Sequence, residues 1–251
     1  MLKTRVLPTL LYKDTGLVKG VGFDSNRRVG PPLQAVKVYN MREVDELIFL
    51  DITATTQKRT PDLFLIEDMA LECFMPMTVG GGVRCVQDIA DLLGAGADKV
   101  AINTAAVECP EVIKEGADRF GVQCIVVSID ARRVGKGWEV LTHGGTQPTG
   151  MDPVDLARRV VMLGAGEILI TSIDQDGTMG GYDLALTAAV SEAVNVPVIA
   201  SGGAGNADHM VDVLRGSKAA AVAAASIFHF TEQTPKDIKR RLREEGIPVR
   251  L

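Results

Sequence analysis

Pro76-Met-Thr-Val-Gly-Gly-Gly-Val83 and Pro197-Val-Ile-Ala-Ser-Gly-Gly-Ala204 decide the fold. Each is a short apolar run ending in glycines, and the two lie 121 positions apart. Glu46-Leu-Ile-Phe-Leu-Asp-Ile52 and Glu167-Ile-Leu-Ile-Thr-Ser-Ile173 keep the same offset. Two matched pairs at one offset mark a duplicated unit. Outward from them, β-branched runs alternate with amphipathic stretches. Strands are predicted over Arg5–Leu11, Glu46–Ile52, Met75–Val79, Lys99–Ile102, Cys124–Asp130, Glu167–Ser172, Val196–Ala200 and Ala219–Ala224. Helices are predicted over Leu33–Arg42, Thr60–Cys73, Val86–Leu93, Pro110–Phe120, Pro153–Leu163, Ala185–Ala193, Ala207–Arg215 and Pro235–Glu245. Apolar strands with helices between them require a parallel sheet covered on its outer face. Eight units in this length are about 31 residues each, the size of a βαβ step. The expected fold is α/β, one (β/α)8 barrel over 1–251 with half-barrels at about 1–122 and 123–251. Neither half stands alone, because each leaves sheet edges that only the other closes. A doubly wound open sheet is the rival.

Composition narrows the function. Of 251 residues, 46% are hydrophobic and 24% charged, which excludes disordered and fibrous classes. The net charge of −5 argues against a nucleic-acid surface. Aromatics are 4%, with Trp138 the single tryptophan, so base-stacking platforms are not expected. No apolar run approaches the ~20 residues of a membrane helix. The first residues lead into a strand without a signal-peptide core, so a cytoplasmic protein is expected. Cys73, Cys85, Cys109 and Cys124 are scattered and far from His143, His209 and His229. Neither a zinc site nor a disulfide framework is expected, nor any metal or cofactor.

Sites of such barrels lie at the C-terminal ends of the strands. Gly80-Gly81-Gly82 and Ser201-Gly202-Gly203 fall there at the same repeat phase. Glycine admits a phosphate close to the backbone, and a following helix N-terminus offers free N–H groups. Asn103-Thr104 and Ala225-Ser226 add polar groups beside each cluster. Two phosphate cradles across one mouth are expected, for a ligand with a phosphate at each end. Asp130, at the end of strand five, suits general acid/base work. Asp51 ends strand two; Asp174 and Asp176 follow strand six, where Asp176-Gly177 is equally readable as a turn. Lys19 is placed in the loop after strand one, near Gly16 and Gly20, to hold an anion. The repeat aligns Leu11 with Asp130, so the strand-one counterpart of that carboxylate is missing. At the other end, Arg5, Glu46, Lys99 and Glu167 sit at strand starts and can pair in a ring, because unpaired burial is costly.

Ordered motifs along almost the whole chain carry a resemblance. They include Phe49-Leu-Asp-Ile-Thr-Ala54, Thr78-Val-Gly-Gly-Gly-Val83, Ile102-Asn-Thr-Ala-Ala-Val107 and Gly164-Ala-Gly-Glu-Ile168. Asp176-Gly-Thr178, Gly181-Tyr-Asp183 and Ile199-Ala-Ser-Gly-Gly-Ala-Gly205 continue the series. The sequence resembles the HisF family, the cyclase subunits of imidazole glycerol phosphate synthase. The resemblance implies a glutaminase partner on the barrel floor, near Asp98, whose ammonia passes through the barrel. At the mouth it would meet a bis-phosphorylated ribulosyl-formimino nucleotide, giving imidazole glycerol phosphate and an aminoimidazole carboxamide nucleotide. It further implies phosphate binding by Gly82, Asn103, Thr104, Asp176, Gly177, Gly203 and Ser226. Lys19 would lie on a mobile loop, Asp130 would be catalytic, and Arg5, Glu46, Lys99 and Glu167 would form an ammonia gate.

The family places a second catalytic carboxylate at residue 11, where this chain has leucine. Pro31 and Thr146-Gln147 are smaller departures around the mouth. Leu10-Leu11, Gly16-Leu-Val-Lys19 and Glu43-Val-Asp-Glu-Leu47 are similar to a divergent branch from surface-polysaccharide clusters, although Lys19-Gly20 follows the cyclases. That branch implies ammonia delivery, with a separate amidotransferase, for turning a sugar acetamido group into an acetamidino group. The alternatives are a working cyclase and, more remotely, the sugar-phosphate isomerase of the same pathway.

Overall fold

The computed structural model describes residues 3–251, the side chains of residues 25 and 26 excepted. The chain opens with β1 (Arg5–Lys13), β2 (Gly16–Val21), β3 (Asp24–Gly30) and α1 (Pro32–Met41). It continues with β4 (Leu47–Asp51), α2 (Leu63–Glu72), β5 (Met77–Gly80), α3 (Val86–Gly94), β6 (Lys99–Ile102), α4 (Thr104–Glu108) and α5 (Glu111–Phe120). The second half holds β7 (Ile125–Val134), β8 (Gly137–Thr142), β9 (Gln147–Pro148), α6 (Pro153–Met162), β10 (Glu167–Ser172) and α7 (Leu184–Ala193). It ends with β11 (Val198–Ser201), α8 (Ala207–Arg215), β12 (Ala221–Ala224), α9 (Ser226–Phe230) and α10 (Pro235–Glu244).

Eight strands close a parallel ring in the order β1-β4-β5-β6-β7-β10-β11-β12, and β12 returns to β1. This is the expected (β/α)8 barrel, and ring closure excludes the open sheet. The first and last described segments meet at its floor, where Thr4 pairs with Val249.

Helix starts follow local chemistry. Asp152 caps α6 with Pro153 at its first position, Asp183 caps α7, Asn206 caps α8 and Thr234 caps α10. The helix expected from Thr60 starts at Leu63 because Asp62 accepts from Leu65 N at 3.1 Å and ends the preceding loop.

Strand alternation builds two cores. Val6, Leu10, Leu47 and Phe49 face the helices, while Leu7, Ile48, Val126, Leu169 and Ile199 fill the barrel interior. The same period stacks each strand's inward side chains from floor to mouth. On β1 the column is Arg5, Leu7, Thr9 and Leu11. On β10 it is Glu167, Leu169 and Thr171.

Two antiparallel hairpins were not expected. β2 and β3 extend from β1, and β8 and β9 extend from β7, so barrel strands one and five carry matching additions. The β2–β3 turn is Gly22-Phe23, with φ of 59° and 66°. Both central residues are left-handed, as in a type I′ hairpin, but phenylalanine hides the usual Asn-Gly signal. Because β7 runs on to Val134, Asp130 lies within a strand rather than at its end.

The glycine clusters are forced by packing. A Cβ on Gly81 (φ +109°) would collide with the Asp51 carbonyl, and one on Gly202 (φ +90°) with the Ser172 carbonyl. The two glycines and the two carbonyls they crowd are each 121 residues apart, so the duplicated halves repeat one backbone contact. Gly81→Ala and Gly202→Ala should each destabilise the barrel by about 1–3 kcal/mol, measured by urea unfolding. A neutral effect at either position would refute the shared contact.

Candidate active site

At the floor, the four expected charges do form a ring. Arg5 Nη1 meets Glu46 Oε2 at 2.7 Å, and Arg5 Nη2 pairs with Glu167. Lys99 Nζ lies 2.8 Å from Glu46 and 2.9 Å from Glu167. Thr78 Oγ1 donates to Glu46 at 2.9 Å. Burial opposes ionisation of Glu167, but Arg5 and Lys99 overcome it and hold the carboxyl below its usual range. Asp98 is exposed beside the ring, and one of its oxygens accepts from Met77 N at 2.8 Å. Met41, Leu71 and Phe74, at the floor ends of α1 and α2, are 77%, 79% and 87% exposed.

The opposite end opens into a cavity of about 290 Å³. Thr9, Leu11, Lys19, Asp51, Asn103, Asp130, Asp176, Gly177, Gly202, Gly203 and Ser226 line it. Thr104 and Arg59 line an adjoining groove that shares Thr55 and His143 with the cavity. Gly82 stands between these walls, its N–H donating to Thr55 Oγ1 at 3.3 Å.

Three lining carboxylates differ in their partners. Asp51 is clamped by Arg59 at 2.6 and 2.9 Å and also accepts from Thr53 and Ala54. Its present work is to fix its own loop, and Arg59 went unnoticed because only the fold brings it back over the strand end. Asp176 pairs with Lys19 Nζ at 2.6 Å. Asp130 pairs with no cation among the described residues; Asn103 Nδ2 donates to its Oδ2 at 3.0 Å and Thr171 hydrogen-bonds it. Burial, with the Asp176 charge second, pushes Asp130 up to about 7 against the pull of those hydrogen bonds.

An acid with that value can give and take a proton near neutrality. It also costs stability when charged. Asp130 binds its proton more tightly folded than unfolded, so stability falls as pH rises from about 4 to about 7. Asp130→Asn should flatten that fall in urea unfolding across the pH range. An unchanged slope would show that the raised value is wrong.

Lys19 corrects an expectation. It is not on a loop but on β2, 3% exposed, and its ion pair fastens the hairpin across the mouth. Gly22 N donates to the Asp176 carbonyl at 2.8 Å, and Gly177 lies so close to Gly20 that a Cβ there would strike its carbonyl. Phe23 reaches the turn at Gly145 on the far rim.

The two cradle regions share a detail invisible in sequence. β6 and β12 each run into a five-residue helix, α4 or α9, before the main helix of that unit. Their N-cap residues, Asn103 and Ala225, have similar backbone angles, and neither side chain caps its helix. Short extra helices beside such glycines are where (β/α)8 barrels commonly bind phosphate. Leu11 lies on the β1 wall of the cavity, next to Leu50 in register.

Residues 5–234 match a family described as histidine biosynthesis protein. The chain belongs to that family. Its barrel is thus that of a histidine-biosynthesis type enzyme. In this member of the histidine biosynthesis family, a leucine, Leu11, faces the mouth from β1. Among the described residues there is no cluster of metal-ligating side chains, and no helix is long and apolar enough to cross a membrane.

Proposed function

We propose that this chain is a HisF-like cytoplasmic subunit that takes ammonia from a glutaminase on its floor and passes it through the barrel to an acceptor at the mouth. The acceptor class is a surface-polysaccharide sugar whose acetamido group becomes acetamidino, in concert with a separate amidotransferase. Leu11 carries this reading: the mouth has an apolar side chain where cyclisation needs its second proton-transfer group, while the four-charge floor is intact. Asp51 and Asp176 do not replace it, since each is held by its own cation. The exposed Met41, Leu71 and Phe74 support a protein partner on the floor. Supplied with ammonium salt and the ribulosyl-formimino nucleotide, the purified chain should show negligible turnover. It should form a complex with a glutaminase on size exclusion. Robust turnover, or no complex with any glutaminase from its own genome, overturns the reading.

A second reading, a working cyclase, is favoured by Asp130 alone, whose value near 7 suits both proton steps. Rescue of a cyclase-deficient auxotroph would establish it; failure of the folded protein to rescue would dismiss it.

A further inference from the structure

The β2–β3 and β7–β8 hairpins extend from β1 and β7, four strands apart around the ring, so they flank the mouth from opposite sides. Their outer surfaces match. Residues 16–30 carry Lys19, Arg27 and Arg28 against Asp24, and residues 131–141 carry Arg132, Arg133 and Lys136 against Glu139. Even with Lys19 held by Asp176, both hairpins are basic in a chain whose net charge is −5. The strand before each turn ends in a valine, Val21 or Val134, and both are 54% exposed. Each hairpin also stacks an arginine on an aromatic ring. Arg27 lies 5.3 Å from the centre of the Phe230 ring, and Arg133 lies 4.5 Å from that of Trp138.

One loop, 174–183, fixes both hairpins. Asp176 holds the first through Lys19 and Gly22. Arg133 N donates to Asp174 Oδ2 at 2.7 Å, and Trp138 Nε1 donates to Asp183 Oδ2 at 2.8 Å. The outward groups are thus ordered before anything binds, which lowers the entropic cost of docking.

Arginine and aromatic side chains are what protein interfaces favour. A small anion entering the mouth has no use for valines on the outer tips. A second copy docking mouth to mouth would set basic hairpins against basic hairpins. The surface suits a protein face that is acidic with some apolar groups. Chemistry supplies the need for one: ammonia leaving an uncovered mouth takes a proton from water and loses the lone pair with which it attacks.

We infer that the two hairpins dock the amidotransferase, whose acidic face seats across the mouth and seals it. This rests on the reading above for the partner's identity and adds where it binds.

The experiment is calorimetric titration of the purified chain with the purified acetamidino-sugar amidotransferase of its own genome. Arg27→Glu and Lys136→Glu, one on each hairpin, should each weaken binding about tenfold at low salt. Lys114→Glu, the same charge change on α5 away from both hairpins, should leave it unaltered. Wild-type affinity should fall as salt rises, since exposed charges are screened. Urea unfolding confirms that each variant is folded; Lys136 lies at the exposed turn, so its substitution tests docking without disturbing the core. Tight binding that both hairpin variants preserve defeats this inference alone and leaves the acceptor reading standing. No binding to the wild-type chain, with or without a glutaminase present, defeats the acceptor reading and this inference with it. Binding of the chain to phosphatidylglycerol vesicles but not to the amidotransferase would assign the hairpins to a membrane surface and overturn the docking site.

Discussion

Leu11→Asp should raise ammonium-dependent turnover of the bis-phosphorylated ribulosyl-formimino nucleotide by roughly 10²–10⁴-fold, the usual worth of one general acid or base. The reason is positional. Residue 11 faces the cavity from β1 and Asp130 faces it from β7, four strands away around the ring. The substitution would restore a carboxylate on the wall that now lacks one. The new side chain lies beside Leu50 in the β1–β4 register. The rate should depend on pH through two groups, whereas any residual wild-type rate should follow Asp130 alone. Steady-state kinetics at several pH values decides the matter. A variant that folds, binds the nucleotide and turns over no faster than wild type would show that more than one missing proton-transfer group separates this mouth from a cyclase.

The second large effect concerns stability. Lys239 of α10 is 4% exposed and its Nζ lies 2.9 Å from Asp45 Oδ1 and 3.0 Å from the Glu43 carbonyl. The other Asp45 oxygen accepts from Val6 N at 3.0 Å. This pair ties the last helix to the start of β1 and the loop before β4. Lys239→Met removes the cation and leaves a buried carboxylate with one amide donor. Losing one partner of a buried pair costs about 3–5 kcal/mol. For a chain of this size that lowers Tm by roughly 6–20 °C. Lys239→Met with Asp45→Asn should recover much of the loss, because no uncompensated charge remains. Thermal and urea unfolding of both variants test this; a single variant within about 0.5 kcal/mol of wild type would mean that the pair is solvated.

Much of the barrel was legible because its rules are periodic. Lys99–Ile102 and Glu167–Ser172 are strands at the predicted residues, since an apolar run bounded by a charge and a polar turn leaves little freedom. The floor ring was legible for a related reason: a charge at the first inward position of a strand can point only to the floor. The hairpins were not. Gly16–Gly30 has no alternating apolar pattern, because β3 reads Asp-Ser-Asn-Arg-Arg-Val-Gly and its pairing comes from turn geometry.

That omission placed Lys19 on a loop and hid its bond to Asp176, 157 positions away. Asp45 and Lys239 were equally hidden, as nothing local marks either as a buried partner.

The meeting of Thr4 with Val249 sets a practical constraint. An affinity tag or fluorescent fusion added at either end leaves from the side of the barrel that carries Arg5 and Asp98. Such an appendage would crowd a docking protein there while sparing ligand entry at the far side. A label at the exposed Gly135-Lys136 bend, on that far side, reverses the interference, so paired labelling at the two locations distinguishes blocked association from blocked ligand uptake.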